Sequence, residues 1–435
     1  MLRLSEIRLP LDHPPAALPA AVAARLGVAP AYLRALSVFR RSHDARQASA
    51  LCFIYSVDVT LDDEAALLAR CAGDQHVQPT PDMRYHFVGR APAQLATRPL
   101  IVGFGPAGIF AALVLAQSGF RPLVLERGKA VRERTQDTWG LWRRKVLNPE
   151  SNVQFGEGGA GTFSDGKLYS QIKDPKHYAR KVLEEFVKAG APPEILYVSK
   201  PHIGTFRLVG MVEQMRHEIE QRGGEVRFQQ RVTGLHIADG GVRGVTLASG
   251  EELRGEHVIL ALGHSARDTF EMLYRAGVCL EAKPFSIGFR IEHPQSLIDR
   301  ARLGPHAGNP LLGAADYKLV HHCRNGRSVY SFCMCPGGTV VAATSEPNRV
   351  VTNGMSQYSR NERNANAGIV VGITPLDYPA GRWPASICSG GSKRVPSNSA
   401  AARTKRRRSS SVTSSPAGHR RSSDRWSLRT SPAFA

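Results

Sequence analysis

Residues 100–128 read LIVGFGPAGIFAALVLAQSGFRPLVLERG, and this stretch decides the fold. A short apolar run stops at Gly103, where the spacing G-x-G-x-x-G begins, and an apolar helical run follows from Ile109. A second apolar run ends on Glu126, 18 positions after the last of the three glycines. Strand, tight turn, helix and second strand form the context in which this spacing binds a dinucleotide. The stretch therefore predicts a βαβ unit at the centre of an α/β fold.

The spacing of the glycines has a physical reason. Gly103 permits the sharp turn, Gly105 leaves room for a pyrophosphate against the backbone, and Gly108 lets the helix pack close to the strand. Pro106 and Ala107 open the helix, whose free N–H groups and positive dipole end favour phosphate. We expect these five residues to bind the cofactor.

The strand-tip acid completes the pattern. Glu126 is placed to accept hydrogen bonds from ribose hydroxyls and to repel a 2′-phosphate. Arg127, which follows it, joins the predicted cofactor-binding residues. A purely structural βαβ unit would leave the three glycines and the acid unexplained.

Composition narrows the class of protein. The 435 residues allow two or three domains, and the sequence contains no apolar run of 18 residues, so no membrane span is expected. Seven cysteines at irregular spacings favour reduced thiols and a cytoplasmic location. Of the net charge of +20, +11 falls in residues 380–435, which hold 12 Lys or Arg and one acid. The remaining +9 suits an anionic cofactor and does not require a nucleic acid.

The pattern along the chain predicts four parts. Residues 1–95 read as a small N-terminal α/β domain, with strands at Leu2–Leu11, Ala50–Val59 and Tyr85–Val88. Residues 96–275 read as a Rossmann-type domain with a β-meander crossover and a returning central strand at Val258–Leu262, and residues 276–379 as an inserted antiparallel substrate domain. Residues 380–435 are rich in Ser and Arg and read as a disordered basic tail.

A second informative stretch is residues 152–167, NVQFGEGGAGTFSDGK. Five glycines within eleven positions expose backbone amides that another molecule can approach closely. A flexible surface loop is the alternative, but Phe155, Phe163 and Leu168 anchor the stretch at intervals.

Two cysteines also stand out. Cys333 and Cys335 are spaced to share one face of a strand, near His321-His322-Cys323. Packing in the core or in a pocket wall is one interpretation, and a thiol working beside a cofactor is the other.

The chain resembles the bacterial FAD-dependent dehydrogenases, or FAD-dependent proteins, whose activity is uncharacterised. The motifs that carry this likeness are VGFGPAGIFAAL, FGEGGAGTFSDGKL, VILALGHSARDT and FCMCPGG, and the likeness extends from Met1 to about Pro379. It implies a bound FAD. By the same likeness, Gly158, Gly159 and Thr162 would lie along the pyrophosphate and ribityl chain, the backbone of Val232 would face the adenine, and Gly263 would lie beside the cofactor.

The sequence departs from that group after Pro379. Members of the group continue with helical sequence and a late glycine-rich segment that places the flavin ring at a helix N-terminus, whereas residues 380–435 turn abruptly to Ser, Arg and Pro. We favour out-of-frame translation as the origin of this tail, and a nucleic-acid-binding arm is the alternative.

The sequence thus predicts an FAD-dependent oxidoreductase that acts on a small molecule through flavin N5. NAD(P)H or another electron carrier is the expected redox partner, and neither a metal nor a nucleic acid is expected. His264, directly after Gly263, and Lys167, at the end of the glycine-rich loop, are the candidate acid–base residues. A flavin-binding protein without turnover and an NAD-linked dehydrogenase remain as alternatives.

Overall fold

The computed structural model describes residues 1–46, 51–170 and 172–377. The predicted tail at residues 380–435 lies outside these ranges. Among the described residues, every helix is too short or too polar to span a lipid bilayer.

The N-terminal part is a four-stranded antiparallel sheet with two packed helices. Its elements are β1 Leu2–Pro10, α1 Ala17–Leu26, β2 Ala35–Asp44, β3 Cys52–Thr60, α2 Glu64–Arg70 and β4 Val77–Pro79. The strand order is β2-β3-β1-β4. Alternating residues such as Leu2, Leu4, Val57 and Val59 are buried, because successive side chains of a strand point to opposite faces. They form the core of this part together with Val22 of α1.

The central part holds the predicted βαβ unit. Its elements are β5 Leu100–Val102, α3 Pro106–Gln117, β6 Leu123–Leu125, α4 Val131–Arg144, α5 Tyr178–Lys188, α6 Thr205–Gln221, β7 Glu225–Arg227, β8 Val232–Ala238, β9 Gly241–Leu247, β10 Glu252–Arg254 and β11 Val258–Leu260. The parallel sheet has the order β11-β5-β6-β7, and β8 to β10 form an antiparallel meander.

The two faces of the parallel sheet bury different layers. Ile101 and Val124 face a core that includes residues of α3 and α6, whereas Leu100 and Leu125 pack with the meander residue Val245. Strands covered on both faces carry continuous apolar runs, which is why these short segments show no alternation in the sequence.

The remaining part is mainly antiparallel. Its elements are α7 Arg267–Arg275, β12 Phe285–Pro294, α8 Gln295–Leu303, β13 Val320–His322, β14 Ser328–Cys335, β15 Gly338–Ala342, β16 Thr352–Ser356 and β17 Asn364–Ile373. The main sheet has the order β12-β17-β14-β13, and β15 pairs with β16. The predicted fold class is confirmed: a Rossmann-like parallel sheet with a meander, an inserted antiparallel sheet and a small N-terminal α/β unit.

Two strand predictions were wrong. No strand forms at Tyr85–Val88, where the rings of Tyr85 and Phe87 pack edge to face at 5.0 Å and lie beneath the ammonium of Lys181 in α5. The alternation there reflects packing against a helix. The strand at Val258–Leu262 is not central: within the described residues β11 pairs only with β5, and Leu260 is 40% exposed.

Candidate functional site

The turn between β5 and α3 has the geometry that its glycines require. Gly103 has φ of +100°, and a Cβ on it would lie 2.4 Å from the carbonyl oxygen of Ala261. A Cβ on Gly108 would lie 2.0 Å from the carbonyl oxygen of Gly103. Both distances are far inside van der Waals contact, so these two glycines are required by the packing of the protein itself.

Gly105 is different. A Cβ on this residue would meet only the Cα of Gly159, at 3.6 Å, so the space beside it is open enough for a ligand. No side chain caps α3, and Pro106 occupies its first turn. The N–H groups of that first turn are therefore available to an anion.

Glu126 organises the site from its centre. The side chain is buried, and its Oε1 accepts hydrogen bonds from the amides of Gly128 (2.8 Å) and Gly156 (2.9 Å). Its Oε2 accepts one from Phe104 N at 2.7 Å. An ionised carboxylate has about four acceptor positions, which leaves Oε2 able to accept one more hydrogen bond, such as one from a ribose hydroxyl.

Arg134 of α4 fixes the glycine-rich loop, and sequence reasoning missed it. Its side chain is fully buried and donates hydrogen bonds to four backbone carbonyls, those of Asn152 (2.7 Å), Val153 (2.8 Å), Glu157 (2.6 Å) and Gly159 (2.8 Å). Burial lowers the pKa of Arg134 to about 10, against the opposing charges of Glu126 and Glu157, so the guanidinium stays charged at neutral pH. An arginine in a polar helix gives no sequence signal of this role.

Gly156 makes room for that arginine. A Cβ on Gly156 would lie 2.4 Å from Cδ of Arg134, and φ is +120°. This glycine therefore serves the packing of the loop as well as its approach to a ligand.

The predicted loop residues divide between the cleft and the interior. Gly159 lines the cleft, and a Cβ on it would lie 2.9 Å from Cα of Gly105. Gly158 is buried and donates its amide to Phe104 O at 2.8 Å. Thr162 is also buried, packed against Gly158 and 3.4 Å from Arg134. Of this stretch, Gly159, Ala160 and Gly161 line the cleft, whereas Gly158 and Thr162 do not.

These elements enclose a cleft of about 540 Å³, within the usual range for small-molecule and cofactor sites. The predicted site residues on its wall are Gly103, Gly105, Pro106, Ala107, Glu126, Arg127, Gly159, Val232, Gly263 and His264. Arg127 stacks over the ring of Phe155 at 4.1 Å and forms ion pairs with Glu150 (3.0 Å) and Asp268 (2.9 Å). Its charge is thus balanced by the protein.

His264 lies on the wall of the cleft and is exposed to solvent. Partial burial, together with the positive charge of Arg267, lowers the pKa of His264 below its usual value. The lowered pKa favours the neutral imidazole, which has a ring nitrogen able to accept a proton.

Lys167 lies elsewhere. Its Nζ is 3.0 Å from Oδ2 of Asp165, 3.7 Å from Sγ of Cys335, and donates to the carbonyl of Met334. Burial opposes the charge, but the nearby Cys335 and Asp165 outweigh it and raise the pKa of Lys167. The described contacts do not bring Lys167 to the wall of the cleft or to His264.

Asp165 is buried and is the anion that pairs with Lys167. Burial alone would raise its pKa, but the charges of Arg360 (2.6 Å) and Lys167 outweigh burial and hold the pKa at about 2. Asp165 also accepts a hydrogen bond from Ser356. The loop and the β16–β17 segment are thereby joined. Within the described residues, no three His, Cys, Asp or Glu side chains are grouped to hold a metal ion.

Comparison with known proteins identifies the family. A family model described as "FAD-dependent protein, C-terminal domain-like" matches residues 284–389, and one described as "flavin containing amine oxidoreductase" matches residues 142–280. A domain of unknown function matches residues 1–60. An uncharacterised protein of Clostridium beijerinckii is 44% identical over 378 residues, covering 87% of this chain and 70% of that protein. The chain belongs to the family of FAD-dependent proteins.

Solved structures resemble this FAD-dependent protein only distantly. Thermovibrio ammonificans THI4 is 19% identical with a TM-score of 0.30, over 43% of this chain and 66% of that one, just under two thirds of its length. A GidA-related protein from Thermus thermophilus is 18% identical with a TM-score of 0.26, over 46% of this chain and 74% of that one. Scores this low add nothing to the assignment.

The cofactor of this FAD-dependent oxidoreductase is FAD, and the residues present fit it. The open space beside Gly105, the uncapped start of α3 and the remaining acceptor position of Glu126 supply what the pyrophosphate and ribose of a dinucleotide need.

Proposed function

We propose that this FAD-dependent protein is a dehydrogenase that exchanges a hydride with a small-molecule substrate. The observation that carries the proposal is the continuity of the cleft, which touches the start of α3 and Glu126 as well as Gly263 and His264. A dinucleotide anchored at α3 would therefore extend through a space that also contains a proton acceptor.

Each part of the cleft would bind a different part of the cofactor. The first amides of α3 would bind the pyrophosphate, Oε2 of Glu126 would accept a ribose hydroxyl, and the backbone of Gly159–Gly161 would line the cofactor. When bound, FAD supplies the two-electron chemistry at flavin N5.

We assign the proton-accepting role to His264 and not to Lys167. The lowered pKa of His264 leaves a ring nitrogen free to take a proton from a substrate hydroxyl or amine at neutral pH. The raised pKa of Lys167 keeps its amine protonated, so Lys167 could contribute positive charge but could not act as a base.

We propose NAD(P)H or another small carrier as redox partner, the cytoplasm as location and no role for nucleic acid. We also propose domain boundaries at 1–95, 96–275 and 276–379. The core around Val57 in the N-terminal sheet supports the first boundary, and Leu51, Leu303 and Ala315 form a smaller core that the first and third parts share.

The test starts with the visible spectrum of the purified chain before and after denaturation, which should show flavin bands and released FAD. The flavin-loaded protein is then mixed without oxygen with NADH, NADPH and panels of amines, alcohols and 2-hydroxy acids, and at least one should bleach the flavin band. Flavin that no donor reduces would support the alternative of a flavin-binding protein without turnover.

A variant pair tests the role of His264. His264→Asn should slow substrate-dependent bleaching and remove its decline at acid pH, while FAD content stays unchanged. The matched control is His86→Asn, at an exposed histidine paired with Asp82. An unchanged pH profile in His264→Asn would exclude His264 as the base.

A further inference from the structure

Cys333 and Cys335 occupy an irregular point of the antiparallel sheet. The register between β14 and β17 shifts between Phe332 and Cys335, so β14 carries an extra residue there. Cys333 has φ of +46°, in the left-handed region that residues other than glycine rarely adopt. Bulges and strained residues of this kind cluster at functional sites, where they re-aim a side chain.

The irregular backbone brings the thiol of Cys335 against the backbone of Cys333. Sγ of Cys335 donates a hydrogen bond to the carbonyl oxygen of Cys333 at 3.4 Å. Cys335 is fully buried, whereas Cys333 is half-buried and partly open to solvent. One thiol is thus accessible and the other lies behind it.

Two cations adjoin the pair. Nζ of Lys167 is 3.7 Å from Sγ of Cys335 and bonds to the carbonyl of Met334 between the cysteines. Nη1 of Arg290 donates to the carbonyl of Cys333 at 3.3 Å. Asp165 is the neighbouring anion, already paired with Arg360.

The surroundings of the two thiols shift their pKa values in opposite directions. The hydrogen bond from Cys335 and the charges of Lys167 and Arg290 lower the pKa of Cys333, against its burial. The same hydrogen bond and burial raise the pKa of Cys335. A partly exposed thiol at Cys333 next to a buried thiol at Cys335 is the arrangement of an attacking sulfur and its resolving partner.

We propose that Cys333 and Cys335 form a redox-active dithiol that reduces disulfide substrates, with Cys333 as the attacking sulfur. The Cys333 thiolate attacks one sulfur of a disulfide RSSR, forms a mixed disulfide and releases RS⁻. Cys335 then attacks the Cys333 sulfur, passes its proton to the second departing RS⁻ and closes the Cys333–Cys335 disulfide. The dithiol is oxidised by two electrons and RSSR is reduced to RSH and RS⁻. Two molecules of a small thiol would reduce the Cys333–Cys335 disulfide back to the dithiol and would leave as their own disulfide.

The test uses the chromogenic disulfide DTNB on the full-length, prereduced protein. Cys279 is exposed, Cys52, Cys71 and Cys323 are partly exposed like Cys333, and Cys388 lies outside the described residues. The reference protein therefore carries Cys52→Ser, Cys71→Ser, Cys279→Ser, Cys323→Ser and Cys388→Ser. The reference protein should release two equivalents of the coloured thiolate in its fast phase. Mass spectrometry should find the 333–335 peptide lighter by two hydrogens and free of label.

Variants in the reference protein separate the roles. Cys335→Ser should release one equivalent and keep a label on Cys333, and Cys333→Ser should lose the fast phase. Lys167→Met should raise the pH midpoint of that phase, which slows the phase at neutral pH by about tenfold for every pH unit that the midpoint rises, and Lys167→Arg should restore it. Far-ultraviolet circular dichroism verifies folding of each variant.

Two results would overturn the proposal. One is a fast phase that survives in Cys333→Ser. The other is a reference protein in which Cys333 stays labelled while Cys335 remains a free thiol. Neither result depends on FAD or on substrate turnover, so failure here is distinguishable from failure of the proposed dehydrogenase activity.

Discussion

Replacing Arg134 by methionine removes four hydrogen bonds to backbone carbonyls of the glycine-rich loop, and a longer one of 3.4 Å to Oγ1 of Thr162, while keeping most of the side-chain volume. The four carbonyl oxygens bonded by Arg134 lie 2.6–2.8 Å from its nitrogens. At roughly 1 kcal/mol for each bond, the free energy of unfolding should fall by about 4 kcal/mol. Leaving buried carbonyl oxygens unpaired costs roughly 1–3 kcal/mol each, so about 4 kcal/mol is the lower end of the expected loss.

The assay is denaturant unfolding followed by tryptophan fluorescence. Trp142 is a local probe because its ring lies 5.9 Å from that of Phe163, in the loop. Arg132→Met is the control on the same helix, since Arg132 is exposed and pairs with Glu213 at the surface, and its unfolding midpoint should stay near that of the parent protein. A loss below about 1 kcal/mol in Arg134→Met would refute the assignment of Arg134 as the residue that holds the loop.

A double-mutant cycle sharpens the test. Gly156→Ala places a Cβ 2.4 Å from Cδ of Arg134, so it should be strongly destabilising in the parent protein. In an Arg134→Ala background that clash is absent and only the strain at φ of +120° remains. The two substitutions should therefore couple by about 1–2 kcal/mol, whereas additive effects would mean that they do not share this contact.

Other predictions follow from the same geometry. Gly105→Ala should keep the stability of the parent protein, because its φ of −77° and the open space beside it accept a Cβ, but the variant should lose FAD on gel filtration. Gly108→Ala should instead unfold at a lower denaturant concentration. Equal effects of the two substitutions on folding would contradict a packing role for Gly108 and a ligand role for Gly105. Glu126→Gln should lower stability by roughly 2 kcal/mol and should also lower flavin content, because an amide offers only one oxygen to three N–H donors. Thermal unfolding measures the stability, and the ratio of flavin to protein absorbance measures the flavin content. Asp165 has a folded pKa of about 2, below its unfolded value, so its contribution of roughly 2 kcal/mol to stability is present above about pH 4 and is lost as the pH falls toward 2. Asp165→Asn should be less stable than the parent protein at pH 7, but its free energy of unfolding should fall less between about pH 4 and pH 2. Equal falls in the two proteins would refute the assignment.

Several elements could be predicted because their causes are local. The turn at Gly103 and the approach of α3 at Gly108 follow from which residues lack a Cβ, and the faces of β1 and β3 follow from alternation. The same rules failed at Tyr85–Val88, where two aromatic rings pack against Lys181 of α5 and each other. Alternating apolar and polar residues indicate that one side of a segment is covered, but they do not indicate whether a strand or a helix covers it.

By itself, the sequence determined the βαβ unit, the required glycines and the resemblance to FAD-dependent proteins, because these depend on steric limits and periodicities within a few residues. Tertiary structure alone decided that Glu126 binds three amides, that Arg134 holds the carbonyls of the glycine-rich loop, and that Lys167 meets Cys335 across 168 positions. The physical reason is that a buried charge takes whichever partners the fold brings within about 3 Å, and hydrogen bonding at that range depends on the path of the whole chain.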